Sequence, residues 1–191
     1  MSWIKGAGLF AAAALLGCGG EPVAVQPDAA LQAETRLSEA NLTAAQNRDI
    51  AALRAATAAF HRIEVAKDAG YDVQFPAGCF TSDEGAMGFH YLNGLNVGSL
   101  DVTRPQLLMY EPQADGSQRL LGVEFIVPGQ ESDVPPVLFG RTFKYNTVFQ
   151  VWVLHVWAWA HNPNSEDGIF ADWNSRVSCE HAAVVSATAH H

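Results

Sequence analysis

Thr147-Val-Phe-Gln-Val-Trp-Val-Leu-His-Val-Trp-Ala-Trp-Ala160 is the longest nearly unbroken apolar run in the C-terminal half of the chain. Both alternating sets of side chains are almost wholly apolar, as in a strand buried on two faces at the centre of a sheet. His155 is the exception, set among Val153, Val156 and Trp157. An imidazole that loses its water on folding needs a partner, so His155 is the first residue to question about function.

On the N-terminal side of this stretch, strand signals alternate with turn residues back to Tyr71, best at residues 85–93, 106–111 and 119–127. Asp115-Gly116 predicts a hairpin turn that pairs the last two antiparallel. The proline-rich residues 127–137 read as a surface loop, and residues 138–143 as a further short strand. Residues 44–69 read as one long helix, entered near Thr43 and stopped at Gly70, with Ile50, Leu53, Thr57 and Phe60 as its apolar stripe. One helix followed by a run of strands predicts an α+β domain over residues 41–179. Its long N-terminal helix would pack on a curved, mainly antiparallel β-sheet or partly closed barrel, with His155 in the central strand.

Ahead of this domain, a basic start at residues 1–5 and an apolar run at residues 6–16 end in Leu15-Leu16-Gly17-Cys18. The run is too short to span a bilayer, so residues 1–17 read as a signal peptide. The tetrapeptide resembles the bacterial lipobox, which makes Cys18 the lipid-modified residue and places the domain in the extracytoplasmic cell envelope. Gly19, where Asp would favour inner-membrane retention, fits the outer membrane if the cell has two. Residues 18–40 read as a flexible tether and residues 180–191 as a C-terminal tail.

The formal charge of −9 argues against nucleic acid, because phosphate contacts need a dense Lys/Arg surface. Hydrophobic residues make up 49% and charged residues only 16%, so much of the chain should be buried. With Cys18 assigned to lipid, Cys79 and Cys179 remain, and an even pair in an oxidising compartment is most economically a disulfide.

The segments Gly85-Ala-Met-Gly-Phe-His-Tyr-Leu-Asn93, Leu107-Leu-Met-Tyr-Glu-Pro112, Gly122-Val-Glu-Phe125 and Leu154-His-Val-Trp-Ala-Trp-Ala-His-Asn-Pro163, with Phe170-Ala-Asp-Trp-Asn174 and Cys179, resemble an uncharacterised family of exported bacterial proteins. The resemblance implies a shared fold over residues 55–179 and brings no activity with it.

Chemistry is therefore sought in the residues themselves. His90 and Glu124 join His155 as polar groups inside apolar strands, and each has a glycine, Gly88 or Gly122, two residues earlier on its own face. That glycine either leaves open space beside the polar group or marks a bulge. Two imidazoles and a carboxylate converging from three strands would form a three-ligand metal site with open positions, suited to zinc or copper ahead of iron(II). If catalytic, zinc would activate a bound water, although no general base is apparent.

A second reading is a small-molecule pocket walled by Phe89, Trp152, Trp157 and Trp159, with His155 or Glu124 fixing the polar end. A third is a structural protein in which Glu124 pairs with Arg141 or a histidine. His61 and Glu64 read as a solvated helix face, His161 lies too far along the strand to share a metal with His155, and residues 162–168 form a polar turn without EF-hand order. Haem-attachment, phosphate-loop and nucleophile-elbow motifs are all missing from the sequence.

Substituting Cys18→Ala should leave the protein unprocessed or release it from the membrane fraction. Lipid labelling that survives the substitution contradicts the assignment.

Overall fold

A computed structural model describes residues 42–183. The expected signal peptide and tether, Cys18 included, and residues 184–191 of the expected tail lie outside the described residues. Strands β1 (Val73–Ser82), β2 (Gly85–Leu92), β3 (Leu107–Pro112) and β4 (Gln118–Pro128) are followed by a two-stranded pair, β5 (Val137–Leu138) and β6 (Arg141–Thr142), and then by β7 (Lys144–Asn146) and β8 (Val151–Val156). Six of them form one antiparallel sheet in the order β1-β2-β3-β4-β8-β7, curled into a half-barrel with two open edges. The class is α+β.

The Asp115-Gly116 turn joins β3 to β4. Gln113 N donates to Ser117 O, and Gly116 takes the positive φ of 81° that glycine tolerates. Every residue of β3 is buried, as are residues 120–126 of β4 and 152–156 of β8. Period-two alternation sends Leu108, Tyr110, Val123, Phe125, Leu154 and Val156 into the main core with Ile50, Leu53 and Ala66 from the helices. Leu107, Ile126 and Val153 form a separate, smaller apolar cluster on the other face.

Two expectations are corrected here. The strand carrying His155 is not central: β3 and β4 hold the middle, while β8 lies one place from the edge, covered by the three residues of β7. Nor does the strand fill residues 147–160. Residues 147–150 make the β7–β8 turn, and beyond Val156 the chain leaves the ladder, with Trp157 N bonded to Ile169 O and Trp159 N to Leu121 O. Burial on both faces survives because the curled sheet and its loops cover the second face.

The single long helix is also not formed. Its residues divide into α1 (Ala44–Thr57), a 3-10 turn over Ala58–His61, and α2 (Ile63–Asp68). The start of α1 is closed by a capping box, Thr43 Oγ1 accepting from Gln46 N and Gln46 Oε1 from Thr43 N. Its end is set by the sheet. Tyr110 Oη donates to Phe60 O at 2.6 Å, Trp159 Nε1 donates to the buried Thr57 hydroxyl, and Arg62 adopts an extended φ of −96° and ψ of 107°. Tertiary bonds thus take over where helical periodicity alone would continue.

Two clamps hold the remaining segments. Gln106, fully buried, donates from Nε2 to the carbonyls of Asn96, Ser99 and Arg104 and accepts at Oε1 from Ile126 N, tying the β2–β3 loop to β4. Cys79 and Cys179 form a disulfide across a sequence separation of 100, joining β1 to the C-terminal segment. In the chain-entropy model a loop of that length stabilises by at most about 4 to 5 kcal/mol. Beside it, Glu111 accepts from Ser178 N and from the Arg119 guanidinium.

Replacing Gln106 by leucine orphans several buried backbone groups at once. It should lower unfolding stability by about 2 to 4 kcal/mol. An unchanged denaturation midpoint would show that the loop is not held this way.

Candidate metal centre

Strand register alone brings His90, Glu124 and His155 together. Glu124 is the direct cross-strand partner of His155, and Leu107 is its partner on the other side. Leu107 in turn pairs with Leu92, and His90 stands two residues from Leu92, so all three polar side chains leave the same face. They are 3%, 9% and 4% exposed, in that order.

Gly122 and Gly88 serve close backbone approach. A Cβ on Gly122 would collide with the Val156 carbonyl, and one on Gly88, at φ 82°, with the Tyr110 carbonyl. Of the two meanings glycine could have here, tight packing and bulging is the one realised, and register shifts flank both sites.

The carboxylate lies between the two imidazoles. Glu124 Oε2 is 3.5 Å from His90 Nε2, and Oε1 is 3.6 Å from His155 Nε2. Both separations exceed the hydrogen-bond range, so the three groups face one another without satisfying one another. His155 Nε2 and His90 Nδ1 have no hydrogen-bond partner among the described residues. One ligand atom from each residue falls within 4.8 Å of the others. Tetrahedral zinc with bonds of about 2.0 to 2.1 Å needs its ligand atoms about 3.3 Å apart, so a small side-chain adjustment closes the set.

Asp172 completes the site from outside. Trp157 Nε1 bonds Ala171 O at 2.6 Å, which brings Asp172 Oδ1 to 3.3 Å from His155 Nδ1, while Lys144 Nζ holds Oδ2 at 2.9 Å. A carboxylate on one imidazole nitrogen orients the other toward a metal. Burial would raise the Asp172 carboxyl, yet its bond to His155 and the Lys144 ammonium hold it down to about 2. For His155, burial works against the charged form, but Glu124 and Asp172 outweigh it and raise its pKa. Burial raises the Glu124 carboxyl above its ordinary range. Burial, followed by the charge of His155, pushes His90 down to about 3. The charged imidazolium is thus favoured at His155 and disfavoured at His90.

The three residues sit at the polar end of a cavity of about 260 Å³. Its walls are not the aromatic residues expected to wall a pocket. Phe89, Trp152 and Trp157 belong to the main core, and Trp159 packs against it and against the His61 ring at 4.4 Å. Phe75, Phe80, Leu107, Ile126, Val151, Val153 and Trp173 line the cavity instead. Arg141 pairs with Asp167 and lies 5.3 Å over the Phe170 ring rather than on Glu124. In residues 162–168 the Asn162 and Asn164 side chains cap their own loop, Oδ1 accepting from nearby backbone N–H groups, as a polar turn requires. The sequence marks Asp172-Trp173-Asn174 only as a turn or the mouth of a pocket, and it marks neither Asp172 as the carboxylate on His155 nor Phe80 as a wall. No spacing rule announces a residue 17 positions from the histidine it orients.

Family models, curated proteins and solved structures compared with the chain yield no match. What the centre can do therefore follows from its own geometry.

His90 gives this geometry a pH signature. Its folded pKa of about 3 lies below the ordinary 6.5, so between those values the folded state binds fewer protons than the unfolded one, and stability falls as pH drops through that window. Between about pH 7 and about pH 5, metal-free His90→Leu should lose less of its denaturation midpoint than metal-free wild type. Equal losses would contradict the buried, neutral state of His90.

Proposed function

We propose that this is an exported, lipid-anchored protein that holds one first-row transition-metal ion, zinc or copper, on His90, Glu124 and His155. The observation that carries the reading is the gap between them. Three buried ligand-type side chains converge, with the Glu124 oxygens 3.5 and 3.6 Å from the facing imidazole nitrogens and His155 Nε2 unpartnered. Groups that merely satisfied one another would close to hydrogen-bond distance, because a buried polar atom left unpaired is costly.

Imidazole ligands and an exported location favour zinc and copper, and the carboxylate leans toward zinc. Export rests on the leader and lipobox, and the Cys79–Cys179 disulfide fits an oxidising compartment. Three protein ligands leave a position open toward the cavity they line, where the ion would act as a Lewis acid on whatever binds there. Asp172 would keep the Nδ1 proton of His155 in place and so present the Nε2 lone pair to the metal.

Protein purified without an affinity tag or chelator should carry, or take up, about one equivalent of zinc or copper, and His90→Ala and His155→Ala should each lose it. Because imidazole and carboxylate bind a metal in their deprotonated forms, affinity should weaken as pH falls below neutrality. Wild-type protein that stays metal-free and cannot be reconstituted would sink the proposal.

A further inference from the structure

Resting on the metal site proposed above, we infer that the cavity binds an organic monocarboxylate of about ten non-hydrogen atoms in all, its carboxylate on the metal and its apolar body along the cavity. The first observation is how the lining is divided. Phe75, Phe80, Leu107, Ile126, Val151 and Val153 make the walls, and the titratable groups are confined to the end formed by His90, Glu124 and His155. Asn146 also reaches the lining, but its Oδ1 accepts from Val148 N and Phe149 N and is already committed. The ligand body thus meets hydrocarbon, and its polar group is directed to one end.

Charge selects the head group. A divalent ion on two neutral imidazoles and the Glu124 carboxylate leaves one net positive charge facing an apolar space. The nearby Asp172 carboxylate does not cancel it, being already bonded to Lys144 Nζ at 2.9 Å. An uncompensated charge against a low-dielectric cavity is costly, and one monoanion removes it. Among the described residues no Lys or Arg lines the cavity to balance a dianion or to donate to the extra oxygens of a phosphate. A carboxylate carries the right charge and is a good ligand for zinc.

Size selects the body. An apolar cavity of about 150 Å³ accommodates benzene, so about 260 Å³ admits roughly ten non-hydrogen atoms. Two lining rings carry the apolar wall to the surface: Phe75 on the edge strand β1 and Phe149 in the β7–β8 turn have centroids 5.7 Å apart and are 41% and 37% exposed.

Zinc-loaded mature protein, titrated calorimetrically with straight-chain carboxylates from butanoate to dodecanoate, tests the inference. Affinity should rise about fourfold per methylene up to about octanoate and then level off or fall. Octan-1-ol, which has the body but lacks the charge, should bind at least about tenfold more weakly than octanoate. Val153→Phe, or Ile126→Phe should the first fail to fold, fills the cavity and should weaken octanoate at least about tenfold with zinc content unchanged. If zinc is retained but octanoate binds no better than butanoate, or binds the filled variants as it binds wild type, the inference is overturned while the metal site stands. If zinc itself is not retained, both fall.

Discussion

The cross-strand pairing of Glu124 with His155 is the constraint on which the rest of the structure depends. Side chains alternate with a period of two, so a one-residue slip of β8 against β4 would turn His155 into the main core, away from Glu124, and bring Leu154 and Val156 out of it. The register is held from several directions. Gly122 lets the Val156 carbonyl approach where any side chain would collide, Trp159 N bonds Leu121 O just past the end of β8, and Gln106 fastens Ile126 N from the other side of β4. The same bonds that give the sheet its core therefore fix a carboxylate against two imidazoles on the opposite face, where leaving them apart costs stability.

Much of this was legible in the chain. His90, Glu124 and His155 each interrupt an apolar strand pattern, and a polar group in a two-face-buried strand is visible at short range. The Asp115-Gly116 turn and the Cys79–Cys179 pairing were legible for the same reason, being local turn chemistry and simple cysteine arithmetic. The tryptophan pocket was misread because strand parity was not carried through. Trp152 and Phe89 stand at opposite parity to His155 and His90, so they point into the main core. Trp157 and Trp159 share the parity of His155, but the strand ends at Val156 and alternation stops applying.

Other features depend on contacts that no local pattern records. The helix breaks after Thr57 because a tyrosine from β3 and a tryptophan beyond β8 capture groups near its end. Asp172 reaches His155 because the Trp157 indole holds the neighbouring carbonyl of Ala171. Phe75 and Phe80 enter the cavity because the sheet curls, and curl is a property of the whole sheet. Charge organisation follows the same logic. Lys144 on the edge strand pairs with Asp172, Asp172 bonds His155, and Glu124 stands between the two imidazoles. The net charge of −9 conveys nothing of this, since it averages over a surface while the site is buried.

Anomalous scattering at the zinc absorption edge, from crystals of zinc-loaded protein, reads whether these three side chains close around one ion. One peak bonded to His90 Nε2, His155 Nε2 and a Glu124 carboxylate oxygen at about 2.0 to 2.2 Å is the expected result. A three-ligand centre would be contradicted by zinc bound elsewhere, or by a metal-free site in which Glu124 has closed onto an imidazole at about 2.7 to 2.9 Å.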